Sequence, residues 1–133
     1  MNYWLMKTEP DTYSWNDLEK DQKTTWEGVR NFQARNNLKE MKKEDLAFVY
    51  HSNIDKAVIG IAKISKEQFV DPNDSAWIAV EIVPVKKLKK SISLADIKAM
   101  TELSEMVLVR NSRLSVQPVR KAEFDFIISL SEQ

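Results

Sequence analysis

The run Ala57–Val70, AVIGIAKISKEQFV, limits the fold more than any other stretch. In its first half, apolar or small side chains occupy both alternating sets: Ala57, Ile59 and Ile61 on one, Val58, Gly60, Ala62 and Ile64 on the other. Successive strand side chains point to opposite faces, so this strand must be covered on both sides. Lys63 and Lys66 mark where it emerges to solvent. Gly60 in mid-strand predicts a bulge or a tight bend, as a small barrel needs.

The flanking segments supply partners. Tyr3–Lys7 reads as a first strand ended by the polar Thr8-Glu9-Pro10, and Leu46–Ser52 as a dense apolar strand. Asp71–Ser75 is a strong turn, followed by a strand over Ala76–Val85 in which Pro84 marks an edge or an exit. Lys86–Lys90, KKLKK, reads as a solvated connection. Ser14 followed by Asp17, and Ser93 followed by Asp96, are helix-capping patterns that open helices to about Lys20 and Met100. Thr101–Glu105 reads as a further helical turn, and Met106–Arg110 as an apolar stretch. Arg113–Val116 looks extended, Pro118 breaks the chain, and Lys121–Leu130 is an amphipathic helix with Phe124, Ile127 and Ile128 inward. About five strands with three or four short helices in mixed order predict a small α+β barrel, one domain over residues 1–133.

Chemistry is limited by what is scarce. There is no cysteine, which removes disulfides and thiolate metal sites and fits a reducing compartment, so the expected location is cytoplasmic. No apolar run approaches the length of a membrane span, and MNYWLMKTEP turns polar too soon for a secretion signal. Two glycines leave no phosphate-cradling loop and no dinucleotide fingerprint, so no cofactor is expected. The single histidine, His51, has no carboxylate-clustered neighbour and makes a poor metal ligand set. A hydrolase would need His51 beside a nucleophile such as Ser52 and an orienting acid, and no nucleophile-elbow sequence is present.

Thr25–Leu38, TWEGVRNFQARNNL, is the stretch that asks for a ligand. It combines Trp26, Gly28, two arginines and three asparagines. The order predicts an extended Thr24–Trp26, a glycine turn at Gly28 and a helix from about Asn31. Ala34, Leu38 and Met41 form its better core face, with Phe32, Arg35 and Lys39 on another. Trp26 outside a clean strand suits a pocket wall on which a planar base stacks, while Ser14, Asn31, Gln33 and Asn36 carry groups able to read a base edge. Net charge is zero, but basic residues gather in 22–43 and 106–121.

The segments WLMKTEPDTYSWNDL, TWEGVRNFQARNNLKEM, FVYHS, VIGIAKI and LVRNSRLSVQPV, in this order and spacing, resemble the EVE domain from Tyr3 to about Ile128. The resemblance implies a PUA-like mixed β-barrel of about five or six strands with flanking short helices. It implies a non-enzymatic domain whose pocket, related to that of YTH domains, takes a flipped modified base. The implied partner is nucleic acid, either DNA with 5-methylcytosine or its oxidised forms, or modified RNA, with no metal. A nucleoside-like small molecule in the same pocket is the alternative. Trp26 falls at the cage tryptophan, and Lys7, Ser14, Trp15, Asn31, Gln33, Asn36, Tyr50, His51 and Ser52 fall on the motif segments as implied ligand contacts. Arg30, Arg35, Arg110 and Arg113 become candidates for phosphate contacts. The turn before Leu46 usually reads Gly-Asp in this family and here is Glu44-Asp45, a departure that concerns a turn and not the pocket.

Overall fold

The computed structural model describes residues 1–133. Six strands form one mixed sheet: β1 (Tyr3–Thr8), β2 (Thr24–Trp26), β3 (Leu46–His51), β4 (Ala57–Val70), β5 (Ile78–Ser93) and β6 (Val116–Val119). Their order is β2-β5-β4-β3-β1-β6, with β1 parallel to β3 and every other pair antiparallel. The β1-to-β3 crossover contains α1 (Trp15–Asp21), β2 and α2 (Phe32–Glu40). Three further helices follow: α3 (Leu94–Ala99), α4 (Val107–Arg110) and α5 (Lys121–Ser131). The architecture is α+β, as expected. No helix is long and apolar enough to cross a membrane.

Side-chain alternation divides the interior into two cores, one on each face of the sheet. Trp4 and Met6 of β1, Ala47 and Val49 of β3, and Ala62 and Ile64 of β4 pack with α1 and α2 through Trp15, Leu18, Ala34, Leu38 and Met41. Leu5, Phe48, Tyr50, Val58 and Ile61 face the other way, against α3–α5. There Phe48 and Phe124 stack with centroids 4.2 Å apart. The two-faced pattern of β4 is thus satisfied literally. Its register shifts around Gly60, both toward β3 and toward β5, which is the bulge expected there.

The reason for Gly60 lies in α1. A Cβ at Gly60 would stand 2.7 Å from three ring carbons of Trp15, a side chain only 1 % exposed. The indole lies directly on the strand backbone.

The sheet is not a closed barrel. β2 and β6 are its two edges and do not pair with each other. Both are short, three and four residues, and α2 lies between them, packing on β5 and β6. Asn37 Nδ2 on α2 donates to the Val116 carbonyl at 2.7 Å, occupying an acceptor that a further strand on this edge would have used. Trp26 of β2 and Val116 of β6 meet in the same core, so the sheet curls without closing.

Two local expectations are corrected, and the edge expected at Pro84 is met. Lys86–Lys90 is strand, the continuation of β5, with Leu88 buried and its four lysines exposed. Pairing with β4 imposes the extended form that the run's own composition does not signal. Pro84 lies inside β5, where β2 has already ended opposite Ile82 and the β4 register shifts between Ile61 and Ala62, so it falls at an interruption of the ladder. Pro118 does not break the chain: it sits in β6, an edge strand paired only with β1, where the missing N–H is tolerated.

The Glu44-Asp45 turn has a defined consequence. Glu44 has φ +80°, a conformation that favours glycine. Asp45 is buried and accepts from Asn2 N, Trp4 Nε1 and Lys42 N, each at 3.0 Å.

Two stability outcomes follow, both readable by denaturant unfolding. Gly60→Ala destabilises by about 1–3 kcal/mol, because the buried Trp15 ring has no room to retreat. Glu44→Gly stabilises by about 0.5–1 kcal/mol, the relief of left-handed strain less the entropy of an added glycine.

Candidate functional site

β1 ends at Thr8, and the chain then turns sharply. Thr12 N and Tyr13 N both donate to the Glu9 carbonyl at 2.9 Å, and Thr8 Oγ1 donates to the Tyr13 carbonyl at 2.7 Å. This compact turn swings Tyr13 back toward the end of α1, just before β2, where its hydroxyl donates to Asp21 at 2.8 Å. Between the turn and β2 lies a cleft of about 510 Å³. Trp26 and Tyr13 are its aromatic walls. Lys7 and the hydroxyls of Thr8, Thr12, Thr24 and Thr25 line it, and Glu9 and Glu27 add two carboxylates.

Trp26 is both core and wall. It belongs to the core beneath α2, yet 9 % of its surface stays open on the cleft side. Lys7 is half-buried, and burial, with the Lys56 charge second, lowers its ammonium pKa below the ordinary range. Its Nζ donates to the Ser112 carbonyl, which brings the Arg110–Arg113 loop to the cleft. The charge around the opening is therefore mixed.

The turn beyond Trp26 is anchored by Asp71. Gly28 has φ +81°, and its N–H donates to Asp71 Oδ2 at 3.0 Å. The same oxygen accepts from Arg30 Nη1 at 3.0 Å, and Oδ1 accepts from Asn73 N at 2.7 Å. Burial alone would raise this carboxyl, but the N–H groups of Gly28 and Asn73 and the Arg30 guanidinium outweigh it and hold the pKa at about 2, against an ordinary 3.8. In the sequence Asp71 reads only as part of a turn. Its one available signal was its place at the head of DPNDS, where a side chain commonly bonds the backbone two residues on.

A family model, the EVE domain, matches residues 2–130. The chain belongs to the EVE domain family. Mouse thymocyte nuclear protein 1 is 38 % identical, with the match covering 98 % of this chain and 74 % of the mouse protein. A solved structure from Rhodopseudomonas palustris, 38 % identical, matches with a TM-score of 0.95 over 99 % of this chain and 94 % of its own. Human THYN1 solved in complex with 5-methylcytosine-containing DNA is 35 % identical, with a TM-score of 0.95 over 100 % of this chain and 99 % of that one. The open six-stranded sheet is thus the EVE, PUA-like fold.

The EVE motif residues divide into several groups in space. Lys7 and Trp26 line the cleft. Ser14 is the N-cap of α1, its Oγ accepting from Asp17 N at 3.1 Å, and Trp15 is sealed against Gly60. Asn31 is the N-cap of α2, its Oδ1 accepting from Ala34 N at 2.9 Å, while Gln33 and Asn36 are exposed on that helix, outside the cleft lining. Tyr50 is buried in the core on the opposite face. His51 Nε2 accepts from the Trp15 backbone N–H at 3.0 Å, and Ser52 Oγ donates to the Thr8 carbonyl at 3.3 Å. Burial, with Lys87 second, lowers the His51 pKa below 6.5 and favours the neutral ring that this acceptor role requires. Tyr50–Ser52 therefore braces the cleft from behind instead of lining it.

The arginines form two pairs. Arg30 and Arg35 lie over aromatic rings near Trp77. Arg110 pairs with Glu105 at 2.6 Å on the surface, and Arg113 is exposed. Tyr13, Thr24 and Thr25 escaped sequence reasoning as cleft residues. Tyr13 was legible only as the aromatic just ahead of the Ser14 cap. No group of three or more His, Cys, Asp or Glu side chains converges in a metal-holding arrangement.

The Asp71 anchor has a pH signature. Its folded pKa lies below the unfolded value, so its contribution is present above about pH 4 and is lost as pH falls toward 2. Asp71→Asn lowers stability at pH 7 by about 1–3 kcal/mol and flattens the stability loss between pH 4 and 2, as measured by urea unfolding across that range.

Proposed function

We propose that this EVE domain is a non-enzymatic nucleic-acid-binding domain that takes one modified base out of its stack into the Trp26 cleft. One observation carries the reading: an aromatic-walled, hydroxyl-rich cleft in a chain whose relative, human THYN1, was solved with 5-methylcytosine-containing DNA. The cleft volume of about 510 Å³ falls in the roughly 300–1,000 Å³ range of small-ligand sites. Trp26 offers a ring on which a base stacks, and Tyr13 offers a second aromatic surface. A cytosine-type base presents an exocyclic amine that donates and a carbonyl that accepts. Glu9 and Glu27 are the acceptors at hand, and Lys7 and the threonine hydroxyls the donors. Lys7 joins the base site to a backbone site, since the loop it touches is flanked by Arg110 and Arg113, which suit phosphates.

The absence of catalysis in this reading has its own support. The lone pair of His51 Nε2 is engaged by a backbone N–H, and Ser52 donates to a carbonyl. Neither arrangement leaves a general base beside a nucleophile. A second reading, a nucleoside-like small molecule in the same cleft, is favoured by the two carboxylates at the opening, which repel a phosphate backbone. A net charge of zero fits either ligand, and for nucleic acid it predicts few phosphate contacts and a shallow salt dependence.

Titration by fluorescence anisotropy decides between them. The protein binds a strand carrying 5-methylcytosine more tightly than the same strand with cytosine. Trp26→Ala, checked for folding by thermal melting because Trp26 is also core, weakens that binding by about 5–150-fold. Tyr13→Leu, a change at a half-buried residue, weakens it in the same direction. Equal binding by folded Trp26→Ala and wild type, or binding to the free nucleoside alone, overturns the reading.

A further inference from the structure

Phe32 is out of place on a helix whose core face is complete without it. Ala34 and Leu38 bury α2, while Phe32, its first residue, is 65 % exposed. The ring is not loose. It stacks on Trp77 with centroids 5.2 Å apart and planes inclined by 28°. The Arg35 guanidinium lies 4.9 Å from the Phe32 centroid and 5.4 Å from that of Trp77, and Arg30 lies 5.6 Å from Trp77. Two aromatic rings and two guanidinium groups thus make one stacked cluster, with the Phe32 ring on its exposed side.

The surface is held in place from below. Arg30 is fixed by buried Asp71, and Arg35 Nη1 donates to the Ala76 carbonyl at 3.3 Å. Arg35 Nε is buried with no partner, a donor that the fold leaves unanswered. Asp71 takes up Arg30, and the Asp74 carboxylate, which accepts from Ala76 N at 3.0 Å in the same turn, balances the second guanidinium in formal charge, yet Arg35 makes no ion pair and keeps free N–H donors. Asp71 also holds the Gly28 N–H, so the cleft wall at Trp26 and the surface at Phe32 are the two ends of one anchored turn. They are six positions apart in the chain, which limits their Cα atoms to about 20 Å apart. A base presents a π-face and carries a phosphate. An exposed phenyl ring backed by a tryptophan and guanidinium groups answers both, where an aliphatic partner would want a concave apolar groove.

We propose that Phe32 and Trp77, with Arg30 and Arg35, form a second stacking site for a base flanking the one held in the cleft. The proposal rests on the base-reading function above and extends it: the domain engages a strand over more than one nucleotide, and the second contact is indifferent to modification.

The test compares three ligands by calorimetry: the free nucleoside 5-methyl-2′-deoxycytidine, a short single strand with 5-methylcytosine between normal bases, and the same strand with abasic flanks. Wild type binds the strand with normal flanks most tightly. Phe32→Ala binds that strand about ten-fold more weakly, leaves nucleoside affinity unchanged and no longer distinguishes normal from abasic flanks. Phe32→Tyr, which keeps the ring, restores the wild-type pattern. If Phe32→Ala binds the normally flanked strand as tightly as wild type while Trp26→Ala loses every ligand, the second site is overturned and base reading stands. If wild type binds none of the three, base reading itself fails and the second site falls with it.

Discussion

The contact between the Trp15 indole and the bare backbone of Gly60 organises the rest of the molecule. It joins the first residue of α1 to the strand that is buried on both faces. The same residue's backbone N–H donates to His51 at the end of β3. A single tryptophan thereby pins the crossover between β1 and β3 against two strands at once. Both aromatic walls of the cleft belong to that crossover: Tyr13 on the turn before α1 and Trp26 on β2 after it. The side chain that dominates this junction is unavailable to a ligand because it is buried against the strand backbone.

Two buried carboxylates perform the complementary task of fixing irregular backbone. Asp45 gathers the amide of Asn2, the indole N–H of Trp4 and the amide of Lys42, and so ties the N-terminus to the turn before β3. Asp71 gathers Gly28, Asn73 and Arg30, and so ties the turn after β2 to the turn before β5. Buried carboxylates are costly unless their oxygens are filled, and here each is filled mainly by backbone donors. Rigidity at the two ends of the cleft's supporting segments comes from these hubs rather than from regular structure.

Much of this was legible from local pattern. The double-faced apolarity of Ala57–Ile64, the serine caps at Ser14 and Ser93 and the Gly28 turn all reappear as read. The errors share a cause. Lys86–Lys90 and Pro118 are extended because neighbouring strands pair with them, and the barrel stays open because α2 occupies the gap between its edges. Local composition contains neither fact. The site was legible in part: Trp26 and Lys7 line the cleft, whereas Ser14, Asn31 and His51 have the right polar groups and spend them on caps and on a backbone amide. A side chain able to read a base is also able to cap a helix, and the residue type does not distinguish the two.

By itself the sequence determined the elements, the family and the location of the unusual chemistry in Thr25–Leu38, because periodicity, capping and glycine placement are local constraints written residue by residue. Only the tertiary structure decided how that stretch is shared out. It turns Trp26 toward the cleft, gives Arg30 to a carboxylate forty-one residues away, and leaves Phe32 exposed against Trp77. Those assignments depend on which distant groups come within hydrogen-bonding or stacking range, and that is set by the packing of Trp15 on Gly60 and the curl of the sheet around it.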